Sequence, residues 1–253
     1  MIKAILARKE QGHRTIGYPK EPALLPELFR GYPRLSPELC PSDCARCVDA
    51  CPVGAVTRKE SLSLDLGKCL FCTHCGEACP HDAIGFTRDA RLATRRREEL
   101  VITAGEERQP ATALDRELLR LFGRSLKLRE VSAGGCNACE ADTNVLSTVG
   151  FDLGRFGIQF VASPRHADGL FVTGPVSENM REALLKTYAA IPAPKLVIAA
   201  GACAINGGPF MGSPEVHNGV DGFLPVDLYI PGCPPHPITI LDGLLRLLGR
   251  MPS

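Results

Sequence analysis

The chain has 253 residues, of which 45% are hydrophobic and 23% charged, and a formal net charge of +1. This is the make-up of an ordinary globular protein with room for one large domain or two smaller ones. The balanced charge offers no basic patch for nucleic acid and no acidic tail, so no nucleic-acid partner is expected.

The opening stretch MIKAILARKEQGHR has an apolar run of only four residues before charge returns. That is too short for the apolar core of a signal peptide, and no stretch approaches the roughly 18 apolar residues of a spanning helix. The expected location is therefore cytoplasmic, with a membrane touched only through partners. Twelve cysteines in such a chain are its dominant feature. Reducing compartments keep thiols unpaired, so a dense cysteine set points to metal rather than disulfides. Twelve divides into three sets of four, and the positions support that division.

In chain order, residues 1–38 read as a docking arm around the proline-punctuated stretch GYPKEPALLPELFRGYPRLSP. Residues 39–90 carry eight cysteines. Residues 91–125 read as a charged connector with helical spacing at both ends, and its run Arg95–Arg97 as a solvated helix face. From 126 onward short apolar runs alternate with helical stretches. Strands are expected at 126–131, 158–163, 169–174, 195–201 and 228–232, and helices at 140–153, 177–189 and 236–248. This alternation predicts an α/β domain, a parallel sheet with helices on both faces. Ligands of such sheets collect beyond the carboxyl ends of the strands. Cys136, Cys203 and Cys233 each follow an expected strand, so with Cys139 they converge on one edge.

The stretch CPSDCARCVDACP supplies Cys40, Cys44, Cys47 and Cys51, and CLFCTHCGEACP supplies Cys69, Cys72, Cys75 and Cys79. The second has the bacterial ferredoxin spacing, and the two form an internal repeat, with one extra residue in the first gap of the first motif. Three thiolates of one tight loop wrap one face of an iron–sulfur cube, and the proline after the fourth cysteine turns that residue toward the neighbouring cube. The assignment is Cys40, Cys44, Cys47 and Cys79 to one [4Fe–4S] cluster and Cys69, Cys72, Cys75 and Cys51 to another. Zinc is the alternative, but it needs neither the third close cysteine nor the proline. This region resembles the two-cluster ferredoxin subunit of respiratory complex I and of formate hydrogenlyase-type complexes, over roughly residues 15–95. TIGYPKEPALLPELFRGYPRL is similar to the segment by which that family packs on its neighbours. The resemblance implies an α+β bacterial-type ferredoxin domain ahead of the sheet.

The remaining cysteines stand in GGCNAC, AAGACAINGG and IPGCPPHP, where glycines let the backbone approach a bulky group closely. A redox-active Cys136–Cys139 pair is the alternative; it leaves Cys203 and Cys233 unexplained. These motifs, with FGIQFVASPRHADGLFVTGPV, resemble the small subunit of [NiFe] hydrogenases and its complex I homologue, the 20 kDa subunit, over about 128–248. The resemblance implies a flavodoxin-like domain in which Cys136, Cys139, Cys203 and Cys233 hold a third [4Fe–4S] cluster. Complex I members place the first two cysteines side by side, whereas energy-converting hydrogenases separate them by two residues, as here. The family's glutamate three positions after the second cysteine is replaced by Asp142. Glu140 and Asp142 suit the first turn of a helix, where carboxylates favour the dipole; a proton relay is the sharper reading of either. Arg165 and His166 are expected in buried pairing or partner contact, with the resemblance placing the arginine near the cluster. His217 and His236 are lone loop histidines, His236 being a candidate hydrogen-bond donor to sulfur.

The resemblances together imply a fusion of these two subunit types, an electron-transferring oxidoreductase subunit with three clusters. It would carry electrons to or from a nickel or quinone site on a hydrogenase-like large subunit. Membrane antiporter-like subunits and an upstream electron-donor subunit or ferredoxin complete the expected partners, on the cytoplasmic face of the inner membrane. A nickel-free or complex I-like relative and a free-standing electron carrier are the alternatives.

Overall fold

The computed structural model describes residues 2–12, 14–41, 43–105 and 109–251. Ser42, in the longer gap of the first cysteine motif, and residues 106–108 of the expected connector lie outside the described residues.

The second half is built on five short apolar runs that become parallel strands: β6 (Leu126–Ser132), β7 (Ile158–Phe160), β8 (Gly169–Thr173), β9 (Leu196–Ala200) and β10 (Leu228–Ile230), in the spatial order β10-β9-β8-β6-β7. Every residue of β8 and β9 is buried, as befits strands covered on both faces. Their side chains alternate between two cores. Leu170, Val172, Val197 and Ala199 pack on one side. Phe171, Leu196, Ile198 and Ala200 pack on the other. Helix α6 (Glu178–Ala190) and α7 (Ala202–Asn206) contribute Leu184 and Ile205 to the first core. Helix α4 (Arg116–Phe122) and α8 (Pro237–Leu247) contribute Phe122 and Leu241 to the second. Asp115 caps α4 by accepting from the amides of Glu117 and Leu118, both at 2.9 Å. Proline at the first position of α8 supplies the preset φ that a helix start needs. The helix expected over 140–153 is shorter, α5 (Ala138–Val145). It gives way at Leu146 to tight turns, with Asp152 left-handed at φ 49°.

The first half holds two small antiparallel sheets: β1 (Pro33–Leu35) with β4 (Ile84–Phe86), and β2 (Val56–Arg58), β3 (Leu62–Asp65) and β5 (Val101–Thr103) in that order. Short helices α2 (Arg46–Asp49) and α3 (His74–Glu77) pack together between them. The expected helical start of the connector is not formed. Residues 98–100 make a 3₁₀ turn and Val101–Thr103 become β5, because β-branched residues here find a ladder partner in β3. The arginine run is not a solvated helix face either. Arg97 pairs with Asp65 through two bonds of 2.9 and 2.7 Å, Arg95 donates to the carbonyls of Asp227 and Ala113, and only Arg96 of the three is exposed.

The arm begins with α1 (Ile2–Gln11), which buries nothing, and then runs across the second half. The Ile16 amide donates to Gly150 O, and Tyr18 Oη donates to Asp242 Oδ1 at 2.7 Å. The chain then enters the first half as β1. Among the described residues, no helix is long and apolar enough to cross a membrane.

Candidate metal centres

The two cysteine motifs fold alike. Cys47 and Cys75 lie on α2 and α3, buried where the two helices meet. Four residues after each motif's last cysteine an amide turns back to its sulfur: Ala55 N to Cys51 Sγ at 3.1 Å and Ala83 N to Cys79 Sγ at 3.3 Å. Phe71 N donates to Cys69 Sγ at 3.3 Å, from a residue held at φ 53°. Such donors would stabilise sulfurs that carried negative charge. All twelve cysteines are free of disulfides.

The thiols fall into three groups by mutual electrostatics. Burial pushes the Cys47 thiol up, and Cys40, Cys79 and Cys44 push it further. Burial raises Cys69 to about 12 against the opposing Phe71 amide, with Cys75, Cys51 and Cys72 adding to the rise. Cys75 is raised to about 11 by burial first and then by Cys51, Cys72 and Cys47, opposed by the Gly76 amide. Cys203 is raised to about 12, by burial and then by Cys233, Cys136 and Glu140. Burial also raises Cys139, with Glu140 and then Cys203, Cys233 and Cys136 contributing. Crowded, buried thiols of this kind ionise only opposite strong positive charge, which a coordinated metal provides.

In the third group the sheet does the gathering. Cys136 follows β6, Cys139 lies in the first turn of α5, Cys203 on α7 after β9, and Cys233 after β10. Asn137, between the first pair, is left-handed at φ 71°. The backbone leaves room beside the sulfurs: a Cβ on Gly201 would lie 2.6 Å from Cys139 Sγ, and one on Gly208 2.8 Å from Cys203 Sγ. Cys203 is buried, whereas Cys136 and Cys233 are exposed. The donor set, the aimed amides and this glycine cradle all fit iron–sulfur clusters.

Glu140 is buried, and its Oε1 accepts from Thr173 Oγ1 at 2.6 Å. Burial pushes its carboxyl up, but hydrogen bonds from Ser132, Thr173 and its own amide outweigh that and leave it lowered. Asp142 is half-buried, and burial raises its carboxyl. It lines a cavity of about 210 Å³ with Phe29, Arg30, Phe71 and His236. His236 Nδ1 accepts from Ile238 N at 3.1 Å and its ring meets Phe29 edge-on, so that nitrogen caps α8 rather than donating to sulfur. Arg165 and His166 are exposed on a 3₁₀ turn, which overturns the buried pairing and leaves partner contact. His217 Nε2 lies 2.5 Å from Glu178 Oε2 at the surface.

A family model described as NADH ubiquinone oxidoreductase, 20 Kd subunit, matches residues 136–247, and a 4Fe-4S dicluster domain model matches 39–83. The Probable membrane-bound hydrogenase subunit mbhJ of Pyrococcus furiosus is 39% identical over 150 residues, covering 59% of this chain and 90% of that relative. The chain belongs to the NADH ubiquinone oxidoreductase 20 kDa subunit family. Formate hydrogenlyase subunit 7 of Escherichia coli is 44% identical over 134 residues, 53% of this chain and 52% of its own, so the chain matches about half of that relative's length. An NADH-quinone oxidoreductase subunit of Clostridium beijerinckii is 46% identical over 114 residues, 45% of this chain and 68% of its own. A chain of the membrane-bound sulfane sulfur reductase, an archaeal respiratory membrane complex, aligns at TM-score 0.47 and 33% identity over 54% of this chain and 75% of its own.

This 20 kDa-family chain thus carries a 4Fe-4S dicluster domain in front of the family domain. Two further residues escape sequence reasoning. Arg58 Nη1 donates to Cys40 Sγ at 2.9 Å and to Cys44 O at 2.6 Å. The repeat offset of 28 between Cys51 and Cys79 sets Arg58 opposite Phe86, a signal visible once the halves are aligned beyond the cysteines. Glu130 on β6 has a buried Oε1 without a hydrogen-bond partner. Burial first, then the charge of Glu140, pushes its carboxyl up to about 7, against the pull of Arg129.

Proposed function

We propose that this chain is the electron-transfer subunit of a membrane-associated oxidoreductase complex of the hydrogenase and complex I kind, with three [4Fe–4S] clusters. Cys40, Cys44, Cys47 and Cys79 would hold the first, Cys69, Cys72, Cys75 and Cys51 the second, and Cys136, Cys139, Cys203 and Cys233 the third. When bound, such clusters take up and release single electrons at potentials set by their surroundings. One observation carries the reading: the groups are electrostatically linked in a row. Cys75 senses Cys47 of the first group, and Cys233 senses Cys72 of the second. This supports an order in which the second group would stand between the other two. The functional units are the cysteine-rich half 39–90, residues 126–253, and the docking arm 1–38, whose β1 joins the first half as does β5.

Exposed Cys136 and Cys233 mark the end at which a large subunit with the active metal or quinone site would close over the third group. The two-residue gap between Cys136 and Cys139 favours the energy-converting [NiFe] hydrogenase branch, formate hydrogenlyase-like. Its membrane antiporter-like subunits would hold the chain peripherally on the cytoplasmic face of the inner membrane, and an upstream subunit or ferredoxin would supply electrons at the first group. Asp142, in place of the family's glutamate, favours the second reading, a nickel-free relative.

The native complex, purified with its partners, tests this by iron and nickel content and hydrogen turnover. About twelve irons per chain, four for each of three clusters, are expected. Markedly fewer irons with zinc present would overturn the reading. Full iron without nickel would select the nickel-free relative, and a monomer without partners a free carrier.

A further inference from the structure

The internal repeat makes the first two cysteine groups near-equivalent, so a difference between equivalent positions has meaning. The Ala55 and Ala83 amides, 28 residues apart, make the same bond to Cys51 and Cys79. Three residues further along, the halves part. Arg58 at the end of β2 is half-buried and divides the hydrogens of Nη1 between Cys40 Sγ and Cys44 O. Phe86 at the end of β4 is apolar and packs against Phe71, with ring centroids 5.8 Å apart. Among the described hydrogen bonds to cysteine sulfur, those from Ala55, Phe71 and Ala83 are neutral amide bonds, and Arg58 is the charged donor. The groups also differ in burial at one equivalent position: Cys69 is buried whereas Cys40, which Arg58 contacts, is half-buried, while Cys47 and Cys75 are both buried.

Resting on the three-cluster reading above, we infer that Arg58 is a positioning residue that holds the first cluster at a more positive potential than its repeat-related neighbour. A cluster gains negative charge on reduction. A guanidinium bonded to one of its thiolates stabilises the reduced form more than the oxidised one, and it does so more effectively where solvent is partly excluded. The second bond, to Cys44 O, fixes the guanidinium across the longer Cys40–Cys44 gap. Arginine suits this task because its planar fork stays charged and serves two acceptors at once.

EPR-monitored redox titration of the purified native complex tests this with Arg58→Leu, Arg58→Gln and Arg58→Lys. Iron content is measured on the same samples, and Cys40→Ser identifies the signal of the first cluster. With Arg58→Leu, that signal's ratio of reduced to oxidised form at a fixed potential falls about tenfold, equivalent to about 59 mV for one electron. The other two signals stay in place, and Arg58→Lys shifts less than Arg58→Gln or Arg58→Leu. Unchanged potentials in Arg58→Leu with full iron would overturn the inference. So would loss of about four irons in all three variants with no movement of the surviving signals, the mark of a staple alone. Failure of the wild type to show about twelve irons and three signals would instead overturn the three-cluster reading itself.

Discussion

Gly201 sits at φ +90°, with the space for its missing side chain taken by Cys139 Sγ. Gly201→Ala therefore adds about 1–3 kcal/mol of backbone strain, because φ +90° with ψ 154° is open essentially to glycine alone, together with a direct clash. Its expected outcome is a chain that keeps the first two clusters and loses roughly four irons, read by iron analysis together with loss of one EPR signal. Glu130 gives a prediction in pH. Its folded-state carboxyl is raised from 4.5 to about 7, so below pH 4.5 it is protonated in both states and costs nothing. As pH rises through 7 the folded state acquires a buried, partnerless charge that the unfolded chain does not have to bury. That penalty is at most roughly 3 kcal/mol for the full shift. Glu130→Gln should raise the thermal midpoint at pH 8 and change it little at pH 4.5; an equal gain at both would show that charge is not the cause.

At the scale of elements, one of the contacts that hold the arm runs to a buried carboxylate. Asp242 of α8 is fully buried and accepts from Tyr18 Oη at 2.7 Å and from Arg246 Nε at 2.8 Å. Tyr18→Phe leaves one Asp242 oxygen short of a donor, which costs about 1–3 kcal/mol. Denaturant unfolding measures the cost, and limited proteolysis should cut the arm near residues 18–25 sooner than in the wild type. The sheet strands were legible because each is a short run of apolar residues that needs no distant information to be read. Residues 91–103 were not, since their charges look solvated until Asp65, Asp227 and the Tyr229 backbone are brought beside them by the fold. The proposed cysteine sets could be drawn from the sequence because their spacing is local in the first half and follows the strand ends in the second. Arg58 was hidden, as its target sulfur lies 18 residues away across a turn.

At the scale of the molecule, the first half and the sheet domain share an uninterrupted core. Cys47, Leu64 and Leu100 from one and Val172, Ile205 and Tyr229 from the other belong to a single buried cluster. Thr94 and Tyr229 add a two-bond antiparallel bridge between the halves, at 3.1 and 2.9 Å. The chain should therefore unfold in one calorimetric transition rather than two, and residues 1–105 expressed alone should aggregate by exposing Leu66, Leu92 and Leu100, all buried in the whole chain.

That shared core bears on how the cysteine groups stay within reach of one another. Where a ferredoxin and its acceptor are separate proteins, the pair parts on dilution and conducts only while bound. Here covalent connection and a continuous interior replace an association constant, so the spacing between the second and third groups is independent of protein concentration.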